Sequence, residues 1–213
     1  MINKNDFVMI DFVGRIASSG AIFDLTEKDI ADKEGIHGDF NFNPILVIPQ
    51  SDYVIKPISE SLANRNPGEK YTINVKAKDA FGEFNSKLVK TYGLNSFVDN
   101  NINPHTGDLV MLDDKLATIL SVSGGRVMVS FNHPLAGKDL VYEIKVLSVL
   151  EDNKDKCSAI FQHYVGNKPE SISLENNSVD IVYKGEIKPY LVTAIEEDIK
   201  KYINKDFSVK IHS

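Results

Sequence analysis

The chain has 213 residues, of which 42% are hydrophobic and 25% charged, a balance that excludes a disordered or fibrous protein and gives room for more than one packed body at about 100 to 200 residues per domain. With 24 Lys+Arg against 30 Asp+Glu the formal charge is -6, and no basic block is long enough to read as a phosphate-binding stripe, which excludes nucleic acid as the expected partner. The single cysteine, Cys157, excludes an intrachain disulfide framework. No apolar run approaches the roughly 20 residues that cross a bilayer and none forms a signal-peptide core, so the expected compartment is the cytoplasm.

In chain order, residues 7 to 13, "FVMIDFV", are β-branched and aromatic on both faces and predict a strand covered on both sides. "ASSG" supplies a turn and "AIFD" resumes extended structure. In "YVIKPISESLANRNPGEKY", Ile55, Ile58 and Leu62 fall at helical spacing, Pro57 suits a first turn, and Asn66-Pro67-Gly68 ends the helix. One short helix among strands fits the concave side of a curved antiparallel sheet. Residues 71 to 77 alternate, with Tyr71, Ile73, Val75 and Ala77 on one face, and predict a half-buried strand.

A Lys- and Asn-rich passage follows from residue 86, with a short helix near 94 to 100. Then come two strands, "KLATILSV" and "RVMVSF", joined by Ser123-Gly124-Gly125, a hairpin signal. Residues 139 to 149 alternate again, Leu140, Tyr142, Ile144 and Val146 opposing Glu143 and Lys145, which groups this strand by character with residues 71 to 77. The polar run "EDNKDK" introduces a tail of expected order αβαβ. Its parts are a helix carrying Cys157, Ile160, Phe161 and Tyr164 and capped by Gly166, a strand "SVDIVYK", a helix with Leu191, Ile195, Ile199 and Tyr202 on one side, and a last strand "DFSVKIHS". The apolar side of that second helix has two readings, packing on its own sheet or forming a homodimer seam.

Three separated segments, "VMIDFVGRIASSGAIFDLT", "LVIPQSDYVIKPISESLANRNPGEKYTINVKAKDAFGEF" and "NHPLAGKDLVYEIKVLSV", resemble FKBP-type peptidyl-prolyl cis-trans isomerases of the SlyD-like branch. In that branch an insert-in-flap domain interrupts the loop after the segment that "DAFGEF" matches. The resemblance covers nearly all of residues 1 to 150, and "NHPLAGKDL" marks the return from the insert. A C-terminal domain occurs in long archaeal members, which residues 151–213 resemble more loosely. The implied fold is α+β, an FKBP-like curved antiparallel sheet wrapped on one short helix (1–87 plus 131–150), with an inserted small β-rich domain (88–130) and a C-terminal α/β domain (151–213). His133 then reads as part of the re-entry corner rather than as an acid-base group.

The activity implied is isomerisation of X-Pro bonds in unfolded or nascent polypeptides, with no cofactor and no metal. The alternative is a holdase chaperone whose isomerase pocket has decayed. By resemblance the pocket walls fall on Phe12, Phe23, Val54, Ile55, Ile58, Phe81 and Tyr142, with Asp24 as the polar group near the twisted amide and the Ile55 backbone N–H facing the ligand. Phe12 and Phe81 stand where many members carry Tyr, and Pro57-Ile58 replaces the usual Gly followed by a larger apolar residue. In SlyD-like proteins the insert captures unfolded chains by strand addition, which assigns client contacts here to Phe97, Val98, Ile102, Leu109, Met111 and Ile119.

Overall fold

The computed structural model describes residues 1–38 and 40–212. In chain order the elements are β1 (Phe7–Ile16), β2 (Ile22–Leu25), α1 (Lys28–Glu34), β3 (Ile45–Val47), α2 (Lys56–Ser61), β4 (Lys70–Val75), β5 (Val89–Gly93), α3 (Asn95–Val98) and β6 (Leu109–Leu112). They continue with β7 (Lys115–Ser123), β8 (Arg126–Ser130), β9 (Leu140–Leu150), α4 (Asn153–Val165), β10 (Ser171–Glu175), β11 (Ser178–Val182), α5 (Pro189–Tyr202) and β12 (Ser208–His212). The fold is mixed and rich in sheet, and its helices in the first 150 residues are short. Among the described residues no helix is long and apolar enough to cross a membrane. Two compact units result, Met1–Val75 with Val141–Ser213, and Lys76–Leu140.

In the first unit a five-stranded sheet runs β2-β1-β9-β4, with β3 also on β1. The neighbours β9 and β4 are the two strands that alternation groups together. β2 pairs antiparallel with β1 at Val13 to Arg15 and β3 at Val8 to Ile10, so the two short strands divide one edge of β1 between them. Along β9, Leu140, Tyr142, Ile144 and Val146 are buried at every second position, as a strand with one face on a core requires. Pro57 lies in the first turn of α2, where its missing N–H costs no hydrogen bond, and Ile58 and Ser59 face inward. α1 and β3 carry no strong sequence signature. α1 ends on Gly35 in the left-handed conformation, φ 66°, whose N–H caps the carbonyls of Ala31 and Asp32.

The tail runs αββαβ, one strand more than its sequence predicts. β10 and β11 form a hairpin across Asn176-Asn177, both at positive φ, and β12 adds parallel to β11. The missed strand, "SISLE", alternates exposed and half-buried residues and lacks the aliphatic density that signals a core strand. Asp152 caps α4, accepting hydrogen bonds from the N–H groups of Lys154 and Asp155, and Gly166 closes it. Cys157, Ile160 and Phe161 of α4 and Ile195 and Ile199 of α5 share one hydrophobic core with Phe7, Leu46 and Ile48 from the strands β1 and β3 and their flank. The side of α5 that the sequence leaves open is therefore covered within the chain at Ile195 and Ile199.

The second unit holds a four-stranded antiparallel sheet, β5-β8-β7-β6. The turn at Gly124 and Gly125 has φ of 57° and 73°, the two left-handed positions that a two-residue hairpin of matching twist requires. One sheet face buries Val110, Ala117, Ile119, Val127 and Val129 beneath Phe97 of α3. Asn132, itself buried, accepts from the Asn85 N–H at 2.9 Å and donates to the Asn85 carbonyl at 3.0 Å, tying together the chain ends on either side of this sheet.

Candidate functional site

The apolar site in the first unit is built around Tyr142. Its ring lies 6.0 Å from Phe12 at 49° and 5.7 Å from Phe23 at 88°, an edge-on contact that suits the ring quadrupoles. Phe12 and Tyr142 are buried while Phe23 is half-buried, so the cluster has a wet side. The backbone of Phe12 is fixed by buried Thr26: the Phe12 N–H donates to Thr26 Oγ1 at 2.9 Å, the Thr26 N–H donates to the Phe12 carbonyl at 3.0 Å, and the Thr26 hydroxyl donates to Asp11 Oδ1 at 2.9 Å. Phe23 crosses β1 at Gly14, which leaves the ring room that any side chain there would take.

Asp24 is the register partner of Gly14. Loss of water around its carboxyl raises it above the ordinary carboxylate value, against a lowering by the Leu25 N–H. The residue as a whole still keeps exposed surface. Burial first, and the nearby Asp24 charge second, push the Tyr142 hydroxyl up to about 12, so it stays a neutral hydrogen-bond donor at physiological pH.

Val54, Ile55 and Ile58 form a second group on the loop before α2 and on its first turn. Ile58 is buried, and Val54 and Ile55 are half-buried. Ile55 is the N-cap of α2, its carbonyl accepting from the N–H groups of Ile58 and Ser59. Its own N–H has no acceptor among the described residues. A depression of about 340 Å³ beside this loop is lined by Gln50, Ser51, Asp52, Val54, Lys56, Ser59 and Glu60. Only Val54 among the expected wall residues reaches it, and its charged lining fits water better than a proline ring.

Phe81 belongs to the second unit, where its ring stacks on His133 at 4.3 Å and 1°. His133 Nδ1 accepts the Leu135 N–H at 3.1 Å, and the corner is completed by Gly137 at φ 75°, where a Cβ would meet Phe84 at 2.9 Å. The sequence reading places His133 at this corner and misses its stacking on Phe81, because proximity across a return loop leaves no local pattern. Of the expected client contacts, Phe97 and Ile119 lie in the core of the second unit and Ile102 packs against that core. Val98, Leu109 and Met111 are exposed at 55%, 57% and 62%. Leu116, Leu120 and Met128, exposed on the outer sheet side, are additions that alternation along β7 and β8 could have supplied. Among the described residues no three His, Cys, Asp or Glu side chains are placed to hold a metal ion.

Comparison with known proteins adds to this geometry. Residues 93–135 match the family model described as "FKBP26, IF domain". The chain is 27% identical over 150 residues to a short-type peptidyl-prolyl cis-trans isomerase of Methanocaldococcus jannaschii, covering 70% of this chain and 94% of that protein. It is 31% identical over 114 residues to an FKBP-type peptidyl-prolyl cis-trans isomerase SlyD of Treponema pallidum, covering 50% of this chain and 62% of that one. A solved multi-domain immunophilin from Arabidopsis thaliana aligns over 75% of this chain and 43% of its own at 12% identity and a TM-score of 0.35, a value that by itself establishes no common fold. The insert match falls on the very sheet that interrupts the first unit, and both relatives are named as peptidyl-prolyl cis-trans isomerases: it is to this family, and to its FKBP-type members, that the chain is similar.

Proposed function

We propose that the chain isomerises X-Pro peptide bonds of polypeptide substrates in an apolar pocket, and that the inserted sheet, residues 88–130, holds unfolded clients. The observation that carries the isomerase reading is the Phe12, Phe23 and Tyr142 ring cluster beside Asp24, at the positions where the family resemblance puts the pocket. An X-Pro bond rotates slowly because rotation breaks amide resonance, a barrier of roughly 18 to 20 kcal/mol. The planar ground state is the more charge-separated, so aromatic walls that exclude water disfavour it relative to the twisted transition state. No nucleophile is required. The Ile55 N–H, without an acceptor among the described residues, supplies orientation by binding a substrate carbonyl.

The client-holding part is supported by the outer side of the second unit's sheet. Leu109, Met111, Leu116, Leu120 and Met128 are exposed there by 36% to 62%, more contiguous apolar surface than a small sheet ordinarily leaves to solvent. A cavity of about 380 Å³ lined by Phe84, Leu109, Leu120, Pro134 and their neighbours continues it within the same unit. β6 is an edge strand of that sheet, and an extended client segment can pair with it. Holding a client raises the local concentration of its prolines, so activity on proteins exceeds activity on short peptides. The division into isomerase body, insert (88–130) and C-terminal domain (151–213) is part of this proposal, as is a cytoplasmic location, which the lone buried Cys157 fits.

The test is NMR exchange spectroscopy on a short Ala-Leu-Pro-Phe-type peptide with catalytic amounts of the protein and of a Phe81→Ala variant. Accelerated cis-trans exchange that the variant loses supports the isomerase and makes Phe81 necessary to its activity. No acceleration by the folded protein would leave the holdase reading, which the missing hydroxyls at Phe12 and Phe81 favour.

A further inference from the structure

The tail meets the loop that carries Val54 and Ile55 at one side chain. Tyr53, two residues before Ile55, donates its hydroxyl to Asp198 Oδ2 of α5 at 2.7 Å. Tyr164 of α4 donates to the same oxygen at 2.6 Å. Both bonds are short and end on a carboxylate, the class of neutral-donor bond that charge strengthens most. The Tyr53 ring stacks on His163 at 4.0 Å and 8°, and Tyr164 and Tyr202 meet it edge-on at 6.3 Å and 6.0 Å. Three side chains of the tail helices thus pack against one ring.

The rest of the loop is tied at its start. The Ser51 N–H donates to the Ile48 carbonyl at 3.0 Å, and the Gln50 N–H donates to Ser59 Oγ of α2 at 2.7 Å, with Gln50 in the left-handed region at φ 68°. Between Ser51 and Ile55 the Tyr53 N–H makes a long contact of 3.4 Å to Ser51 Oγ. The Ile55 carbonyl is held from the other side by the Ile58 and Ser59 N–H groups, so side-chain anchorage of Tyr53 supplies the second of the two fixed ends between which the Val54-Ile55 backbone is set.

We propose that Asp198 is a positioning residue for the isomerase reaction: through Tyr53 it fixes the Val54-Ile55 backbone so that the Ile55 N–H stands ready for the substrate carbonyl. The inference rests on the isomerase reading above and extends it by making the C-terminal helices part of the machinery. Nothing in the sequence marks the pair, since Tyr53 and Asp198 are 145 positions apart.

Peptide exchange with the wild type and four variants tests it. Tyr53→Phe keeps the stacked ring and removes only the hydroxyl; Asp198→Asn keeps the shape and removes the charge; Tyr164→Phe removes the other bond to the same carboxylate and keeps its ring against Tyr53. Tyr53→Phe and Asp198→Asn should lower kcat/KM by about ten- to a hundredfold, the upper end being the scale on which a misplaced orienting group acts, and should shift the Ile55 amide peak in a ¹⁵N–¹H spectrum. Tyr164→Phe should lower Tm comparably while leaving kcat/KM and that peak in place, and Asp198→Glu should recover part of the lost rate. An active wild type with Tyr53→Phe and Asp198→Asn within twofold of it would overturn this inference alone. A wild type without activity would overturn the isomerase reading and this inference with it.

Discussion

The Phe23 ring lies across the backbone of Gly14 so closely that a methyl group on Gly14 would stand 2.6 Å from its Cζ atom. Gly14 has no positive φ to require glycine, so space alone keeps it small. Gly14→Ala should push Phe23 off Tyr142, destabilise the protein by about 1 to 3 kcal/mol as overpacking does, and slow peptide exchange. Thermal unfolding and the exchange rate measured together check this; an unchanged rate would remove Phe23 from the site.

Asp24 carries a folded-state carboxyl raised by desolvation. A raised acid binds its proton more tightly folded than unfolded, so ionised Asp24 costs stability at neutral pH, and that cost disappears as pH falls through its raised value. Asp24→Asn should therefore raise Tm slightly at pH 7 and lose the gain toward pH 3. Because the residue keeps exposed surface, solvent screening keeps the effect small. A fall in Tm at pH 7 would mean that the carboxylate makes an interaction outweighing its desolvation.

In the second unit, exposed and buried apolar residues should behave in opposite ways. Leu109→Ser with Met111→Ser changes exposed side chains and should leave Tm and short-peptide exchange in place while lowering activity on an unfolded protein. Phe97→Ala opens the core beneath α3 and should cost about 3 to 5 kcal/mol, enough to unfold the unit. Equal loss on peptide and protein substrates in the double Ser variant would defeat the division of labour.

His163 stacks on Tyr53 and meets Tyr164 edge-on at 5.0 Å, with Asp198 nearby. Burial lowers its pKa below the ordinary 6.5, and Asp198 offsets part of that lowering. The unfolded chain then takes up the proton first, so stability should fall as pH drops from above about 6.5 through the lowered value. His163→Phe keeps a stacking ring and removes the titration. Its Tm against pH should lose that component of the slope, and an unaltered profile would place the acid sensitivity elsewhere.

The strands β1, β4, β7, β8 and β9 and the helices α2, α4 and α5 were legible because each carries a continuous apolar, period-2 or helical pattern or a turn or end signal such as Gly124-Gly125, Pro57 or Gly166. The elements β3, β6 and β10 and the helix α1 are short, and local sequence bias is too weak over three to seven residues to announce them. Within the site, Phe12, Phe23 and Tyr142 came from motif positions, and the structure joins them by direct ring contacts. Phe97 and Ile119, read as client contacts, proved to be core residues of the second unit, since hydrophobicity alone does not say which sheet face lies under a helix. Register does: Leu109 and Met111 share the outer side with Thr118 and Leu116.

By itself the sequence determined the strand-rich character, the helix between strands, the hairpin at Gly124-Gly125, the turn at His133 and the family resemblance, all of which are written in residues close together along the chain. Tertiary structure alone decided that α4 and α5 share a core with β1 and β3, that Gly14 makes room for Phe23, and that Asp198 reaches Tyr53. Those relations link residues far apart in the chain, whose meeting is set by packing and hydrogen-bond satisfaction, which local pattern does not encode.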